Sequence, residues 1–535
     1  MRPLCHGVAL LLAGLAQAWS LAWPWGLGWT RGEPVAGLQL LSLAALLVLL
    51  QRAPSARSAF AQGWAWATAW LAGTFWWLFV SMHTYGGLPA PLAALGVLAL
   101  AGFLALYYAL AAALAWRWRA AALGVRVAAF AALWTLAELA RGTLFTGFPW
   151  GAGGYALIDA LAPLAPWVGV YGLGAAGAAL AVLLADFAGS VSGRRAAAAG
   201  AFPRDRGRRA AGLSACLLLP LLFWPGAGRH WAGVTADWTV TSGRLPVALL
   251  QGNIPQDEKF QPGSGVPEAL AWYGKQVHAA LALDRAGLVV APETAIPLLP
   301  KDLDPDYWNW LMQSVAQGRS ALMLGRPLGS LEQGYTNSVT SWTPGGAAMH
   351  RYDKQHLVPF GEFIPPLFRW FTDLMQIPLG DFSRGAPVQP PLRWAGQRIA
   401  PDVCYEDLFG EELARGFADP AQAPTVLVNL SNIAWFGDTV AIEQHRQIAR
   451  MRALELQRPM LRATNTGATM AIDHRGRVTR ELPRLTRGVL EAEVEGREGL
   501  TPYARWAGRF GLWPLALLGV AVLLALWRRT GPVGP

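Results

Sequence analysis

Cysteine is almost missing from this chain: Cys5, Cys216 and Cys404 are the three it has in 535 residues. Cys5 and Cys216 sit inside apolar stretches, so neither is placed to bridge Cys404. A disulfide framework is thereby excluded, and the lack of closely spaced pairs excludes a cysteine zinc site. Charge is scarce too, at 15% of residues where a soluble globular chain carries about 25%. Histidine contributes eight residues. His356 and His445 stand apart from other ligand types and read as hydrogen-bonding residues, so neither a metal nor an organic cofactor is expected. Lysine is scarcest among the cations. Only Lys259, Lys275, Lys301 and Lys354 occur among 44 basic residues. An ammonium is a compact charge whose pKa can move, and a guanidinium is not, so lysine rather than arginine at 354 marks that residue as a candidate for chemistry, while the other three lysines carry no such signal.

Apolar residues are what the chain has in excess, at 53%, with 27 Trp. Runs long enough for a bilayer need roughly 17–25 residues. Eight candidates run over 5–24, 35–50, 59–82, 90–115, 121–140, 165–189, 210–227 and 511–527. The first lacks a small-residue cleavage site before the next span and reads as a retained helix rather than a signal peptide. Seven of the runs precede a long polar region, 229–505, and one follows it.

Seven crossings put that region on the side opposite the N-terminus, which the arginines can test. On the N-terminal side lie Arg2, Arg52, Arg57, Arg117, Arg119, Arg126, Arg194, Arg195, Arg204, Arg206, Arg208, Arg209, Arg528 and Arg529. The opposite short loops hold Arg31 and Arg141. The imbalance predicts both termini in the cytoplasm and the polar region outside it. The net charge of +10 is then a topology signal. Nucleic acid would need the cations clustered on one folded face, so no nucleic-acid partner is expected. Glu138 lies three residues before Arg141, which predicts an ion pair. Asp186, near the end of its span, is expected to reach water.

From about 244 the pattern changes to short apolar runs between turns and amphipathic stretches. Strands are predicted over 245–252, 287–292, 320–325, 336–342, 398–404, 425–430 and 460–472, and helices over 267–286, 305–317, 408–417 and 440–457. Their alternation predicts a layered α/β domain. Glu293, Lys354 and Cys404 each fall where a strand ends. A thiol needs a nearby base or cation to become a competent nucleophile. Glu293 could take the proton, and Lys354 could stabilise the thiolate and the oxyanion formed on a carbonyl. Such a set fits acyl transfer through a thioester, provided the three meet.

The segments GLVVAPETAIP, RYDKQHLVPFGEFIP and APDVCYEDLF resemble the signature blocks of the apolipoprotein N-acyltransferases, a membrane-bound branch of the nitrilase (carbon-nitrogen hydrolase) superfamily. The resemblance extends to QGNIPQDEKF, NLSNIAWFGDT, the run 444–467 and AIDHRGRV. In the apolar half it includes FWWLFVSMHTYGG and RGTLFTGFPWGAGGY. It implies an α-helical bundle of eight transmembrane helices carrying an extracytoplasmic αββα sandwich. On that reading 1–228 is a seven-helix region, 229–505 a periplasmic nitrilase-like catalytic domain, and 506–535 a last transmembrane helix with a short cytoplasmic tail. The whole would be a multi-pass protein of the bacterial inner membrane.

The resemblance further implies Glu293 as general base, Lys354 as oxyanion stabiliser and Cys404 as nucleophile, with Glu362, Tyr405 and Glu406 in support. The implied reaction moves a fatty acyl chain from a phospholipid, typically phosphatidylethanolamine, to the α-amino group of the S-diacylglyceryl cysteine of an apolipoprotein. Two positions depart from the family pattern. Phe260 stands where Trp is frequent, and Ile433 stands in NLSNIAWFGD where Asp is usual. The apolar stretch 365–382, with Phe368, Trp370, Phe371, Leu374 and Met375, is expected to form either an interfacial, lipid-facing lid or ordinary core packing. A membrane-tethered hydrolase that passes the thioester to water shares the first step. A non-enzymatic transporter or scaffold is the other alternative.

Overall fold

The computed structural model describes residues 2–196, 235–283, 287–330, 332–345, 348–364 and 382–530. The predicted span 210–227, Cys216 and nearly all of the stretch 365–382 lie outside them. Two compact units form. One comprises Met1–Phe79, Pro89–Ala236 and Leu512–Pro535; the other comprises Val80–Leu88 and Asp237–Gly511.

The first unit is helical. Its helices, among the described residues, are Arg2–Leu21, Ala36–Gln51, Ala56–Thr74, Ala90–Ala115, Leu123–Thr143, Ala165–Ala196 and Trp513–Thr530. Stretches 90–118, 123–146 and 162–189 are long and apolar enough to cross a membrane, and Cys5–Leu21 and Ala36–Gln51 are apolar but shorter. The predicted span 59–82 is helical only as far as Thr74, after which the chain enters short turns over 78–85. Small residues let these helices approach closely, as they do where lipid offers no hydrophobic drive to associate. A Cβ on Gly14 would collide with the Trp66 carbonyl oxygen, and one on Gly63 would sit 2.6 Å from Ala112 Cβ.

The charges inside this unit are paired. Arg141 is fully buried and lies 3.6 Å from Glu138. It donates to Tyr108 Oη and to the carbonyls of Phe148 and Trp150 at 2.7–2.8 Å. Tyr108 in turn donates to Glu138. Asp186 does not simply reach water, as its place near a span end suggested. Arg126 binds it, because the arginine's long stem can carry its charge to a carboxylate on the facing helix.

The second unit contains, among the described residues, twelve strands. They are β1 (Thr239–Gln251), β2 (Leu288–Ala291), β3 (Ala321–Ser330), β4 (Gly334–Trp342), β5 (His350–Asp353), β6 (Leu392–Trp394), β7 (Gln397–Val403), β8 (Val426–Ser431), β9 (Met460–Thr464), β10 (Met470–Ile472), β11 (Val478–Glu481) and β12 (Gly488–Gly499). Two six-stranded sheets result, ordered β12-β1-β2-β3-β4-β5 and β11-β10-β9-β8-β7-β6. Strands β1, β2 and β3 are parallel, as are β7, β8 and β9. Parallel strands covered on both faces read as unbroken apolar runs, and LVVA of β2 is buried at all four positions.

The core between the sheets joins Leu245, Val247, Leu249, Val290 and Met323 from one sheet to Val403, Val428, Leu430 and Leu461 from the other. The opposite face of the first sheet packs Leu250, Val289 and Leu322 against Tyr273, Val277, Leu311 and Val315. Those four residues come from helices Gly265–Leu281 and Pro305–Gln317. Helices Gly410–Arg415 and Ala441–Leu456 accompany the second sheet, giving an αββα sandwich. Helix 305–317 lies where it was predicted, while the predicted strand 460–472 is a hairpin of two strands. β5, β6, β11 and β12 were not predicted.

Candidate active site

Two parallel strands end at the residues of interest. Glu293 follows β2 after Pro292, in a turn where Thr294 has φ 47°. Cys404 directly follows β7 and itself has φ 57°. A non-glycine residue held there is strained, and such strain is usually found at functional turns. The Cys404 carbonyl accepts from Asn429 Nδ2 at 2.8 Å, which fixes the bend from β8.

The Glu293 carboxylate is fully engaged. One oxygen accepts from Asn337 Nδ2 at 2.7 Å and the other from the Asn432 N–H at 2.8 Å. Lys354 Nζ lies 3.5 Å from Glu293 and donates to Glu362 Oε1 at 2.9 Å. Asn337 Nδ2 donates to that Glu362 oxygen too, at 2.8 Å, and the other Glu362 oxygen accepts from the Val358 N–H. Glu293, Lys354 and Glu362 thus form one hydrogen-bonded cluster centred on Asn337, all of it buried. Burial alone would lower the Lys354 pKa, but Glu362 and Glu293 outweigh it and hold the ammonium well above its usual value. Burial, reinforced by Glu293 and opposed by Lys354, pushes the Cys404 thiol up to about 12. The resting site therefore holds a protonated thiol within the electrostatic reach of the Glu293 carboxylate and the Lys354 ammonium.

Glu406 ties the two halves of the site together. Its carboxylate accepts from the N–H groups of Gln355, His356 and Val403 and from Tyr352 Oη, at 2.6–3.0 Å. One side chain thereby links the loop after Lys354 to the strand end before Cys404. Burial pushes it up to about 7 against the Lys354 charge and those donors. Tyr405 donates to the Leu357 carbonyl at 3.3 Å and packs edge-on against His356 and Phe409.

Beneath the bend, Asp407 accepts from Arg462 at 3.1 Å and meets His445 Nε2 at 2.8 Å. Arg462 also reaches His445 Nδ1 at 3.0 Å. Burial and Arg462 lower the His445 pKa, so the ring is neutral. His356 stacks on Phe409, with centroids 3.6 Å apart, and meets Glu412. Among the described residues no group of three or more His, Cys, Asp or Glu is arranged to hold a metal ion.

Of the candidates read from sequence, Glu293, Lys354, Glu362, Cys404, Tyr405 and Glu406 occupy this one region. Phe368, Trp370, Phe371, Leu374 and Met375 lie outside the described residues. Asn337, Asn432, Asn429 and Lys259 were not singled out beforehand. Asn429 and Asn432 lie within and just after the apolar strand β8, whereas Asn337 is one of several polar residues of β4 and Lys259 lies in a turn, and nothing local marked either. The two departures have different settings: Phe260 is half exposed, and Ile433 is buried at 1%, a position that suits an apolar side chain.

Residues 26–183 match the family described as apolipoprotein N-acyltransferase N-terminal domain, and residues 247–503 match carbon-nitrogen hydrolase. An apolipoprotein N-acyltransferase of Verminephrobacter eiseniae is 54% identical over 94% of this chain and 92% of its own length. One of Ralstonia nicotianae is 45% identical over 93% and 90%. Among solved structures, a carbon-nitrogen hydrolase from Helicobacter pylori shares 14% identity with a TM-score of 0.35, covering 51% of this chain and 94% of that one. On the family and relative matches, which run through both units, the chain belongs to the apolipoprotein N-acyltransferase family.

Proposed function

We propose that the protein transfers a fatty acyl chain from a phospholipid, with phosphatidylethanolamine the expected donor, to the α-amino group of the S-diacylglyceryl cysteine that begins an apolipoprotein. The reading is carried by one arrangement. A protonated cysteine at a strained strand end shares its surroundings with the Glu293 carboxylate, held by Asn337, and the Lys354 ammonium, held by Glu362, which the same asparagine also binds, in a chain that also holds membrane-length helices.

Glu293 takes the proton of Cys404 as the sulfur attacks the ester carbonyl. The ammonium of Lys354 faces the oxyanion, and Glu362 and Asn337 keep that ammonium in place. Collapse breaks the ester C–O bond. The leaving alkoxide takes the proton back from Glu293, and lysophospholipid departs from a Cys404 thioester. The lipoprotein amine then attacks. An α-amino group has a pKa of about 8, so a useful share of it is neutral and reactive. Glu293 accepts its surplus proton and returns it to the departing sulfur. Tyr405 and Glu406 hold the strand end and the Lys354 loop in register.

Eight membrane spans, cytoplasmic termini and a periplasmic catalytic domain in the inner membrane complete the proposal. The arginine distribution supports them, and that side of the membrane is where diacylated lipoproteins would meet the site. The test is to incubate the purified protein with labelled phosphatidylethanolamine and weigh the peptide bearing Cys404. A mass increment of one acyl chain, discharged onto an added diacylated lipopeptide, is the expected result. Discharge into plain buffer at the same rate would make the protein a hydrolase, and no adduct at all would remove Cys404 as the nucleophile.

A further inference from the structure

Lys259 is a buried ammonium that the mechanism above leaves unused. It sits on the turn after β1 and is 2% exposed. Its Nζ donates to the Glu293 main-chain carbonyl at 3.0 Å. Among the described residues that is the one hydrogen bond made by its three N–H groups. Beside it on the same turn, Gln256 is 6% exposed, and its Nε2 has no hydrogen-bond partner although its Oε1 accepts from Asn432 Nδ2 at 2.8 Å. Buried donors without acceptors are costly, and they are rare without a reason. The turn is built to bring them inward. Gly265, where the following helix opens, passes so close that a Cβ there would collide with the Glu258 carbonyl and lie 2.8 Å from Lys259 Cα.

The charges of the centre supply the reason. Glu293 and Glu362 are two carboxylates facing the single ammonium of Lys354, and Glu406 acts on that ammonium too, so acidic groups outnumber the cation in a buried site. Forming a thiolate or an oxyanion in that field would be opposed. Lys259, which interacts electrostatically with both Glu293 and Cys404, offsets one of those negative charges. It goes on doing so when the Cys404 proton moves to Glu293. We infer that Lys259 is a charge-compensating residue of the acyl-transfer centre, whose buried ammonium makes the thiolate and the anionic acyl intermediate at Cys404 attainable. Burial pulls its pKa down to about 8, while Glu293 and Cys404 hold it up, so the cation persists at neutral pH. Asp257 and Glu258, on its own turn, lie toward the surface.

The inference rests on Cys404 being the nucleophile. Lys259→Met and Lys259→Gln are compared with the wild-type protein by the rate at which labelled phospholipid forms the Cys404 adduct. The pH dependence of Cys404 alkylation by iodoacetamide and the melting temperature are measured in parallel. Gln keeps a donor for the Glu293 carbonyl; Met keeps only the volume. Both should form the adduct about 10²-fold more slowly and should require higher pH for alkylation. The melting temperature should fall in both neutral variants, since the carboxylates are left with an uncompensated buried charge, while both proteins still fold. Lys259→Arg should recover part of the rate. Wild-type adduct rates in either neutral variant would overturn the inference, as would a Lys259→Arg protein no faster than Lys259→Gln. Failure of both neutral variants to fold would assign the ammonium to the fold and equally overturn it. Absence of the adduct in the wild-type protein is a different result, and it counts against Cys404 itself.

Discussion

A single amide sets the geometry of the site. Asn337 Nδ2 donates to Glu293 and to Glu362 at once, so its orientation is dictated by two carboxylates that can only accept. Asn337→Asp would put a third carboxylate in the same space, where like charges force one of them to keep a proton. The lysophospholipid burst should fall about 10²-fold at pH 7 to 8. It should recover in part as pH is lowered, because a protonated Asp again offers one donor. A pH profile identical to wild type would show that Asn337 is not the hinge of the cluster. The sequence did not single this residue out. TNSVTSW reads as a strand by its alternation, and nothing local says which of its polar side chains turns inward. Cys404 and Glu293 were legible for the opposite reason, each closing a short apolar run, IAPDV or LVVAP.

At the scale of elements, the position of Glu293 depends on how closely β3 passes the turn after β2. A Cβ on Gly325 would lie 2.7 Å from Glu293 Cα, from the Pro292 carbonyl oxygen and from the Thr294 nitrogen. Three backbone atoms at that distance cannot all give way without moving the turn. Gly325→Ala should therefore cut adduct formation on Cys404 by about 10²-fold, the penalty typical of a catalytic group displaced by about an ångström. Normal adduct formation would show that the turn tolerates the shift.

The same neighbourhood explains which elements the sequence revealed. β2, β7 and β8 are largely buried and read as apolar runs. β12 is longer than any of these but was missed. It pairs antiparallel with β1 at the sheet edge and carries Glu491, Glu493 and Glu495 in alternation with Leu490, Ala492 and Val494. A strand covered on one face looks polar when scanned for apolar runs. Helix Ala441–Leu456 was predicted over 440–457 despite its many charges, and two of them, Arg452 and Glu455, pair one turn apart inside the fold at 3.1 Å.

Stability and orientation belong to the whole molecule. Glu411 is buried, and burial, with Glu412 adding to it, pushes its pKa up to about 7. The folded state therefore binds this proton more tightly than the unfolded chain, whose glutamates titrate at about 4.3. The stabilisation it gives is complete below that value and is lost as pH rises through 7. One pKa unit corresponds to about 1.4 kcal/mol, so a few kcal/mol are at stake. Glu411→Gln should raise the melting temperature at pH 8 and leave it unchanged at pH 4, measured in detergent. A uniform shift at both values would show that the substitution acts through packing rather than through the proton.

Orientation can be read chemically, because the arginine-rich loops and the α/β unit are proposed to lie on opposite sides of one bilayer. Val240 is 67% exposed on β1, and Arg119 lies in the turn after helix Ala90–Ala115, an exposed position. A single cysteine is placed at either site in a background of Cys5→Ala, Cys216→Ala and Cys404→Ala. Intact spheroplasts are then treated with a membrane-impermeant maleimide. Val240→Cys should label at once, and Arg119→Cys only after the membrane is opened. The reverse pattern would put the acyl-transfer centre in the cytoplasm, on the side assigned to fourteen arginines, and the positive-inside reading of this chain would fail. Labelling of both in intact spheroplasts would place the loop after Ala115 outside as well, and the count of crossings ahead of it would have to change by an odd number.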